Sequence, residues 1–314
     1  PHMKLTAREI DIGTRTPTVL LNSADAGELG AHPLDRVRIR HGSDLATGIV
    51  EITDELVSPG LLGVTRQISH ITGDVEISLA SKPDSAAYIT KKLDDIELER
   101  EEIDAIVRDI NRDLWSDIEL GAFVSGVYAH GLSRAEIMSL TESMVEIGDS
   151  IEWDQSPIVD KHSIGGVAGN RVTPIVVPIV AAAGLTIPKS SSRAVTSAAG
   201  TADTMEVFCP VEFDRESIRD IVESVGGCLV WGGAVALSPV DDKMIRAETP
   251  LSLNPPGQII ASVLSKKQSA GSTHIVIDIP YGEGAKVTNL ADARELAVDF
   301  KRVGDYLGLT VECA

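Results

Sequence analysis

Residues 160–203 carry DKHSIGGVAGN at 160–170 and PKSSSRAVTSAAGTAD at 188–203. These are two loops rich in glycine, hydroxyls and fixed cations, with the apolar run PIVVPIVAAAGLTIP between them. The rhythm is strand, loop, helix, strand, loop. SPIVD is a short strand before the first loop, Thr173-Pro174 suits the N-cap and first position of a helix, and LTIPK is the next strand. Apolar strands alternating with helices predict a mainly parallel sheet. A loop leaving such a strand for a helix is where an anion meets backbone N–H groups and the positive end of a helix dipole. In the first loop Lys161 adds a point charge and Ser163 a hydroxyl, while Gly165 and Gly166 let the backbone approach. In the second, Ser191, Ser192, Arg193, Thr196, Ser197 and Thr201 are donors suited to phosphate oxygens, Arg193 in bidentate fashion. Asp203 closes that loop and reads as a group orienting the loop or Lys161. His162 is expected to be a neutral imidazole, because the neighbouring lysine disfavours its charged form.

Working outward, GGCLVW, HIVIDI and the terminal TVECA read as further strands, and PGQIIASVLSKKQSAG as a helix that packs back on an earlier bundle. That bundle lies in 85–148, where ELEREEIDAIVRDINRDL puts Ile103, Ile106, Val107 and Ile110 on one stripe. Ser133 and Glu136 form a capping box, and Gly148 is a stop. Before Pro83, six short runs (LTAREIDI, TVLLN, RVRIR, ATGIVEI, LLGVTRQI, DVEISL) with turns between them predict a small barrel. ADAGELGAHPLDRVRI resembles a half-repeat of a double-psi barrel. The expected architecture is a multi-domain α/β protein: a barrel at 1–84, a helical domain at 85–150 plus 239–271, and a phosphate-binding α/β domain at 151–238 plus 272–314 with an unfinished sheet. Pro1-His2-Met3 reads as the remnant of a cloning tag. The linkers near 149–156 and 232–241 are candidate hinges.

The 314 residues carry 47 acidic against 28 basic side chains, a net charge of −19. That excludes a general nucleic-acid surface but not a cationic pocket. A hydrophobic content of 43% argues against disorder. Three separated cysteines fit reduced cytosolic thiols, and the longest apolar run is too short and too proline-rich for a membrane span. No Asp/His cluster has the spacing of a metal site. A cytoplasmic protein without membrane or nucleic-acid partners is expected.

KHSIGG, GN, SSRAVTS and GTAD, in this order, resemble the class II nucleoside phosphorylases, the thymidine phosphorylase family, and most closely their archaeal AMP phosphorylase branch. The resemblance spans nearly the whole chain. It implies phosphate contacts on Ser191, Ser192, Arg193, Ala194, Val195, Thr196, Ser197 and Thr201, with Lys161, Ser163 and Gly166 in the first loop. It places His162 over the base or sugar, and assigns the base to Arg246, Ser262 and Lys266. Ser262 and Lys266 are four apart and share a helix face. Lys267 reads as a solvated helix-face lysine. Lys286, in YGEGAKV, marks the nucleotide-specific branch and is implied to meet a substrate 5′-phosphate. The family also continues beyond TVECA, which implies a truncated chain. One position departs from the pattern: Asn254 stands where the family's proton-donating Asp is found, and an amide has no titratable proton to give.

The resemblance thus implies phosphorolysis of nucleoside 5′-monophosphates, AMP and phosphate giving adenine and ribose 1,5-bisphosphate. Inorganic phosphate is the co-substrate, with no cofactor or metal, in a homo-oligomer joined through the barrel and helical domains. A pyrimidine-nucleoside phosphorylase and a catalytically silent nucleotide-binding scaffold are the alternatives. The related anthranilate phosphoribosyltransferase activity is disfavoured, since its acidic magnesium motifs are not found.

Overall fold

Alternation of apolar and polar residues along the first 80 positions builds a closed barrel. In this computed structural model, which describes residues 2–14, 16–165, 167, 169–194 and 199–314, the barrel strands are β1 (His2–Glu9), β2 (Thr18–Leu21), β3 (Arg36–His41), β4 (Asp44–Ile52), β5 (Leu61–Val64) and β6 (Gly73–Leu79). Their order is β1-β5-β2-β4-β3-β6, and the β1–β5 and β2–β4 pairings are parallel while the rest are antiparallel. Leu5 and Ala7, Val37 and Ile39, and Val75 and Ile77 point inward at every second position and fill one core. Helix α1 (Ser23–Leu29) links β2 to β3. Asn22 caps its start by accepting the Ala24 N–H, and Gly30 ends it at φ 75°. All six predicted runs form strands, but LLGVTRQI stops at Val64. There the buried Thr65 hydroxyl bonds back to Thr18, and Arg66–Ile68 make a single 3-10 turn.

The contacts divide the chain into two compact units, 1–86 with 112–116, and 87–111 with 117–314. The 112–116 segment joins the barrel unit, where Trp115 Nε1–H donates to Ser85 Oγ at 2.8 Å. Within the second unit the helices are α2 (Ala87–Leu93), α3 (Arg100–Asn111), α4 (Asp117–His130) and α5 (Arg134–Ile147). Then follow β7 (Val159–Ser163), α6 (Thr173–Ala182), β8 (Ile187–Ser191), α7 (Thr201–Glu206), α8 (Arg215–Val225), β9 (Gly227–Trp231), α9 (Pro239–Leu251), α10 (Pro256–Ser269), β10 (His274–Asp278), α11 (Leu290–Tyr306) and β11 (Thr310–Cys313).

Ile103, Ile106, Val107 and Ile110 are all buried on α3, and the Ser133–Glu136 capping box starts α5. β11-β10-β7 and β8-β9 are both parallel, and a parallel bridge between Ile158 and Thr186 links the two groups. Two local expectations shift. β7 runs on through Lys161, His162 and Ser163, which pair with β10 rather than forming a loop. Helix α6 takes Val172 as its cap, so Thr173 is already helical and Pro174 sits in the first turn. Helix α10 packs on α5, and α9 on α3, α4 and α5. One core nevertheless runs from Ile137 on α5 through Ile260 and Leu264 on α10 to Ile275 and Phe300 on the sheet side, so bundle and sheet form a single unit. The two linkers singled out above lie side by side, with the Asp149 N–H donating to Ala236 O at 3.1 Å.

Candidate active site

Strand β7 delivers an acidic and a basic side chain in succession. Asp160 is buried, accepts the Lys161 N–H at 2.7 Å and Ser272 Oγ at 3.2 Å, and pairs with the Lys267 ammonium at 2.8 Å. The Lys161 ammonium crosses to Asp278 on β10 at 3.0 Å. Next along the sheet, Lys189 on β8 is also buried and donates to Ser190 O and, at 3.3 Å, to Ser191 Oγ. Three lysines thus gather, Lys161 on β7, Lys189 on β8 and Lys267 on α10, with Asp278 and Asp160 as the ion-pair partners of Lys161 and Lys267. Burial, then the Lys267 charge, hold the Lys189 amine well below its ordinary 10.5. Burial first, then Lys267, Lys189, Lys266 and Lys161, hold His162 well below 6.5 and therefore neutral. The neutral state is the one expected, though Lys161 is the smallest of the four charges. Lys267 departs from its reading as a solvated lysine: it is 1% exposed, because α10 turns it inward to Asp160.

The loop after β7 turns through Gly165 at φ 87° and Gly169 at φ 76°. Ser163 Oγ is buried with no hydrogen-bond partner among the described residues, and a buried hydroxyl left unpaired suits a ligand contact. Arg171 ties the two loops together, donating to Asn170 O at 3.0 Å and Ala199 O at 3.4 Å. Asp203 holds the second loop closed, accepting the Ala194 N–H at 2.7 Å and the Gly200 N–H at 2.8 Å. The Gly200 N–H chiefly, with Ala194 and Arg193 adding to it, keeps its carboxyl below the usual value. Of the two roles weighed for Asp203, these bonds serve the loop, while Lys161 is held by Asp278. Gly200 has no room for a side chain, since a Cβ would lie 2.5 Å from Ser192 O.

Arg193 is placed differently from a free phosphate fork. Its guanidinium donates to Asp203 at 3.1 Å, Glu206 at 2.7 and 2.9 Å and Glu212 at 2.7 Å, and stacks over Trp231 at 4.6 Å. Those carboxylates commit its planar donors, so its side chain shapes the loop. Ser191 is buried at the end of β8, Ser192 is exposed, and Thr201 starts α7. Gly166, Val195, Thr196 and Ser197 lie outside the described residues.

A second cluster lies on α9 and α10. Asp241 is fully buried and takes both Ser262 Oγ at 2.8 Å and the Lys266 ammonium at 2.5 Å, which brings this expected pair onto one carboxylate. Burial alone would lower the Lys266 amine; Asp241, Asp242 and Glu248 outweigh it and the amine rises above 10.5. Arg246 does not join them: it bonds Asp117 on α4 at 3.1 Å, with its Nε buried and unpartnered among the described residues. Asn254 lies half-buried between α9 and α10. Lys286 approaches the first loop, since a Cβ on Gly165 would be 3.8 Å from its Cε. Burial lowers its amine, with Glu248 opposing.

Sequence reading passed over Lys189, Asp160, Asp241 and Glu248, and set Lys267 aside as a solvated lysine. Lys189 was legible as a cation inside a strand otherwise apolar or small. The others needed the fold, because Lys266-Lys267 is a pair whose members face opposite partners.

The chain resembles known proteins in sequence and in fold. Residues 86–148 match the family model described as "Glycosyl transferase family, helical bundle domain", and residues 155–299 that of "Glycosyl transferase family, a/b domain". The chain is 64% identical over 314 residues to an AMP phosphorylase of Natronomonas pharaonis, covering 99% of this chain and 63% of that relative. It is 46% identical to one of Methanococcoides burtonii, covering 99% and 62%, and 47% identical to one of Thermococcus kodakarensis, covering 99% and 63%. The chain therefore spans less than two thirds of the length of these relatives. Among solved structures, anthranilate phosphoribosyltransferase from Thermus thermophilus shares the fold at a TM-score of 0.54 and 19% identity, over 69% of this chain and 63% of that one. Carrying both domains in sequence and in architecture, the chain belongs to this glycosyl transferase family.

Proposed function

We propose that the protein cleaves the N-glycosidic bond of nucleoside 5′-monophosphates by phosphorolysis, converting AMP and phosphate to adenine and ribose 1,5-bisphosphate, with phosphate as co-substrate and no metal or cofactor. The observation that carries this reading is the approach of Lys286 to Gly165. It adds a second cation beside a loop that already follows Lys161, as a substrate bringing its own phosphate requires. The names of the relatives support the choice of AMP.

In this reading Lys161, Ser163, Ser191 and Thr201 hold the phosphate nucleophile, with Lys189 and Lys267 supplying the surrounding positive field. The base and sugar fall to His162, Arg246, Ser262, Lys266 and Asn254, and the 5′-phosphate to Lys286, Gly166 and the backbone of 191–197. Phosphate attacks C1′ as the bond to the base breaks through an oxocarbenium-like transition state. Negative charge builds on the leaving base, and fixed donors and cations stabilise it without reorganising. Asn254 orients the base through its amide. We place the protein in the cytoplasm as a homo-oligomer.

The deciding experiment is phosphate-dependent base release from AMP, CMP, UMP and the matching nucleosides, using the intact protein with Asn254 and with Asn254→Asp. Preference for AMP by both forms is the expected result. Faster release from uridine or thymidine would replace it with a pyrimidine-nucleoside phosphorylase. Asn254 itself favours a second reading, a nucleotide-binding protein without turnover; tight AMP binding with no base release by the Asn254 form would establish that instead.

A further inference from the structure

Asn254 leaves the reaction proposed above without its expected acid, yet the leaving base still needs a proton. Seven residues after Asp241 on the same face of α9 stands Glu248, six residues before Asn254. It is half-buried, and its Oε1 is shielded from solvent with no hydrogen-bond partner among the described residues. The neighbouring carboxylates are committed: Asp241 to Lys266 and Ser262, Asp278 to Lys161, and Asp160 to Lys267. Asp242 lies 3.9 Å from the Lys266 ammonium. Glu248 alone among these forms no ion pair among the described residues.

The charged groups acting on Glu248 are Asp241 on its own helix, Lys266 on α10 and Lys286 in the loop before α11. Burial, with Asp241, pushes its carboxyl up to about 7 against the pull of Lys286 and Lys266. It therefore carries a proton at the pH where an ordinary glutamate has lost one.

We propose that Glu248 is the proton donor to the leaving base, doing the work that Asn254 cannot; this rests on the nucleotide-phosphorylase reading. The step balances. A phosphate oxygen forms the bond to C1′, the C1′–N9 pair passes into the purine, and the Glu248 O–H gives its proton to a ring nitrogen. The carboxylate left behind faces Lys266 and Lys286, which stabilise it until solvent returns the proton. The placement also couples acid and substrate recognition, since Lys286 is the lysine assigned to the 5′-phosphate.

The test is kcat and KM for AMP between pH 5.5 and 9, in the wild type and in Glu248→Gln, Glu248→Asp and Glu248→Gln combined with Asn254→Asp. A general acid must be protonated to act, so the wild-type kcat is expected to fall about tenfold per pH unit above its apparent pKa near 7. Glu248→Gln is expected to lose about a hundredfold or more in kcat, with KM little changed and that pH limb gone. Glu248→Asp, or the acid restored at 254, returns part of the rate. An unchanged pH limb in Glu248→Gln, or a loss confined to KM, would overturn the proposal, the latter marking Glu248 as a counter-ion of Lys286. Absence of base release from AMP by the wild type at every pH would instead remove the phosphorylase reading itself, and the acid with it.

Discussion

Asp160 and Lys267 form a buried pair whose members are 0% and 1% exposed at the side chain. A charge pair taken out of water yields little net stabilisation while intact, but removing one member leaves an uncompensated charge. Asp160→Asn is therefore expected to lower unfolding free energy by about 3–5 kcal/mol, as read from urea midpoints. It would also leave either the Ser272 hydroxyl or the Lys161 N–H without an acceptor, since the two bond different carboxylate oxygens and an amide keeps only one. Lys286 differs, since it forms no ion pair among the described residues and burial lowers its amine. A site waiting for a phosphate group has this character. Lys286→Ala is expected to raise KM for AMP about tenfold or more, as loss of a charge-assisted contact of about 1.5–3 kcal/mol implies, while leaving KM for adenosine nearly unchanged. An equal effect on both substrates would remove the 5′-phosphate assignment. Residue types in 160–203 placed glycines, hydroxyls and fixed cations together before any fold was known. They did not announce partners: Arg193 has the chemistry of a phosphate fork, yet three carboxylates from α7 and the loop beyond it claim its donors.

Elements follow local rules where the rules are strong. Ser133 and Glu136 form the reciprocal cap that their spacing announced, and Glu136 additionally receives the Leu98 N–H at 2.9 Å and the Lys92 ammonium at 3.0 Å. Ser133→Ala should remove the Glu136 N–H acceptor at a cost of about 1 kcal/mol, measured as a shift in the denaturation midpoint. Glu136→Gln should cost more, because it strips charge from a buried pair. Where local signals are balanced, tertiary pairing chose the boundary. Lys161, His162 and Ser163 are polar and next to glycines, so they read as loop. Pairing with Val276, Ile277 and Asp278 keeps them in β7. Helix α10 shows the same limit. Its four-residue spacing placed Ser262 and Lys266 on one face, but only its position between Asp241 and the sheet revealed that Lys267 is buried on the other.

At the scale of the molecule, the barrel has its own core, with every member of that cluster between Leu5 and Ile77. Leu62 is 0% exposed there, so Leu62→Ala should destabilise the barrel by about 2–5 kcal/mol. Calorimetry should show a barrel transition that falls in temperature while AMP binding by the second unit is unaffected; a single transition that moves as a whole would refute this independence. The second unit is one body because bundle helix α5, helix α10 and the sheet share a core from Ile137 to Phe300. The three-way division into barrel, bundle and sheet follows from periodicity, which registers a change from period 2 to period 3.6 and back again. Periodicity carries no information on which faces meet, so the merging of bundle and sheet into one unit was invisible to it. The sequence alone determined the barrel's six strand runs, the capped helices and the two glycine- and hydroxyl-rich loops, because each depends on residues a few positions apart. Only the tertiary structure decided that Asp160 binds Lys267, that Arg193 is held by carboxylates, that Lys286 reaches Gly165, and that Glu248 stands half-buried with no ion pair among the described residues. Those facts join residues separated by tens of positions, and their charges are set by burial, a property that no local pattern encodes.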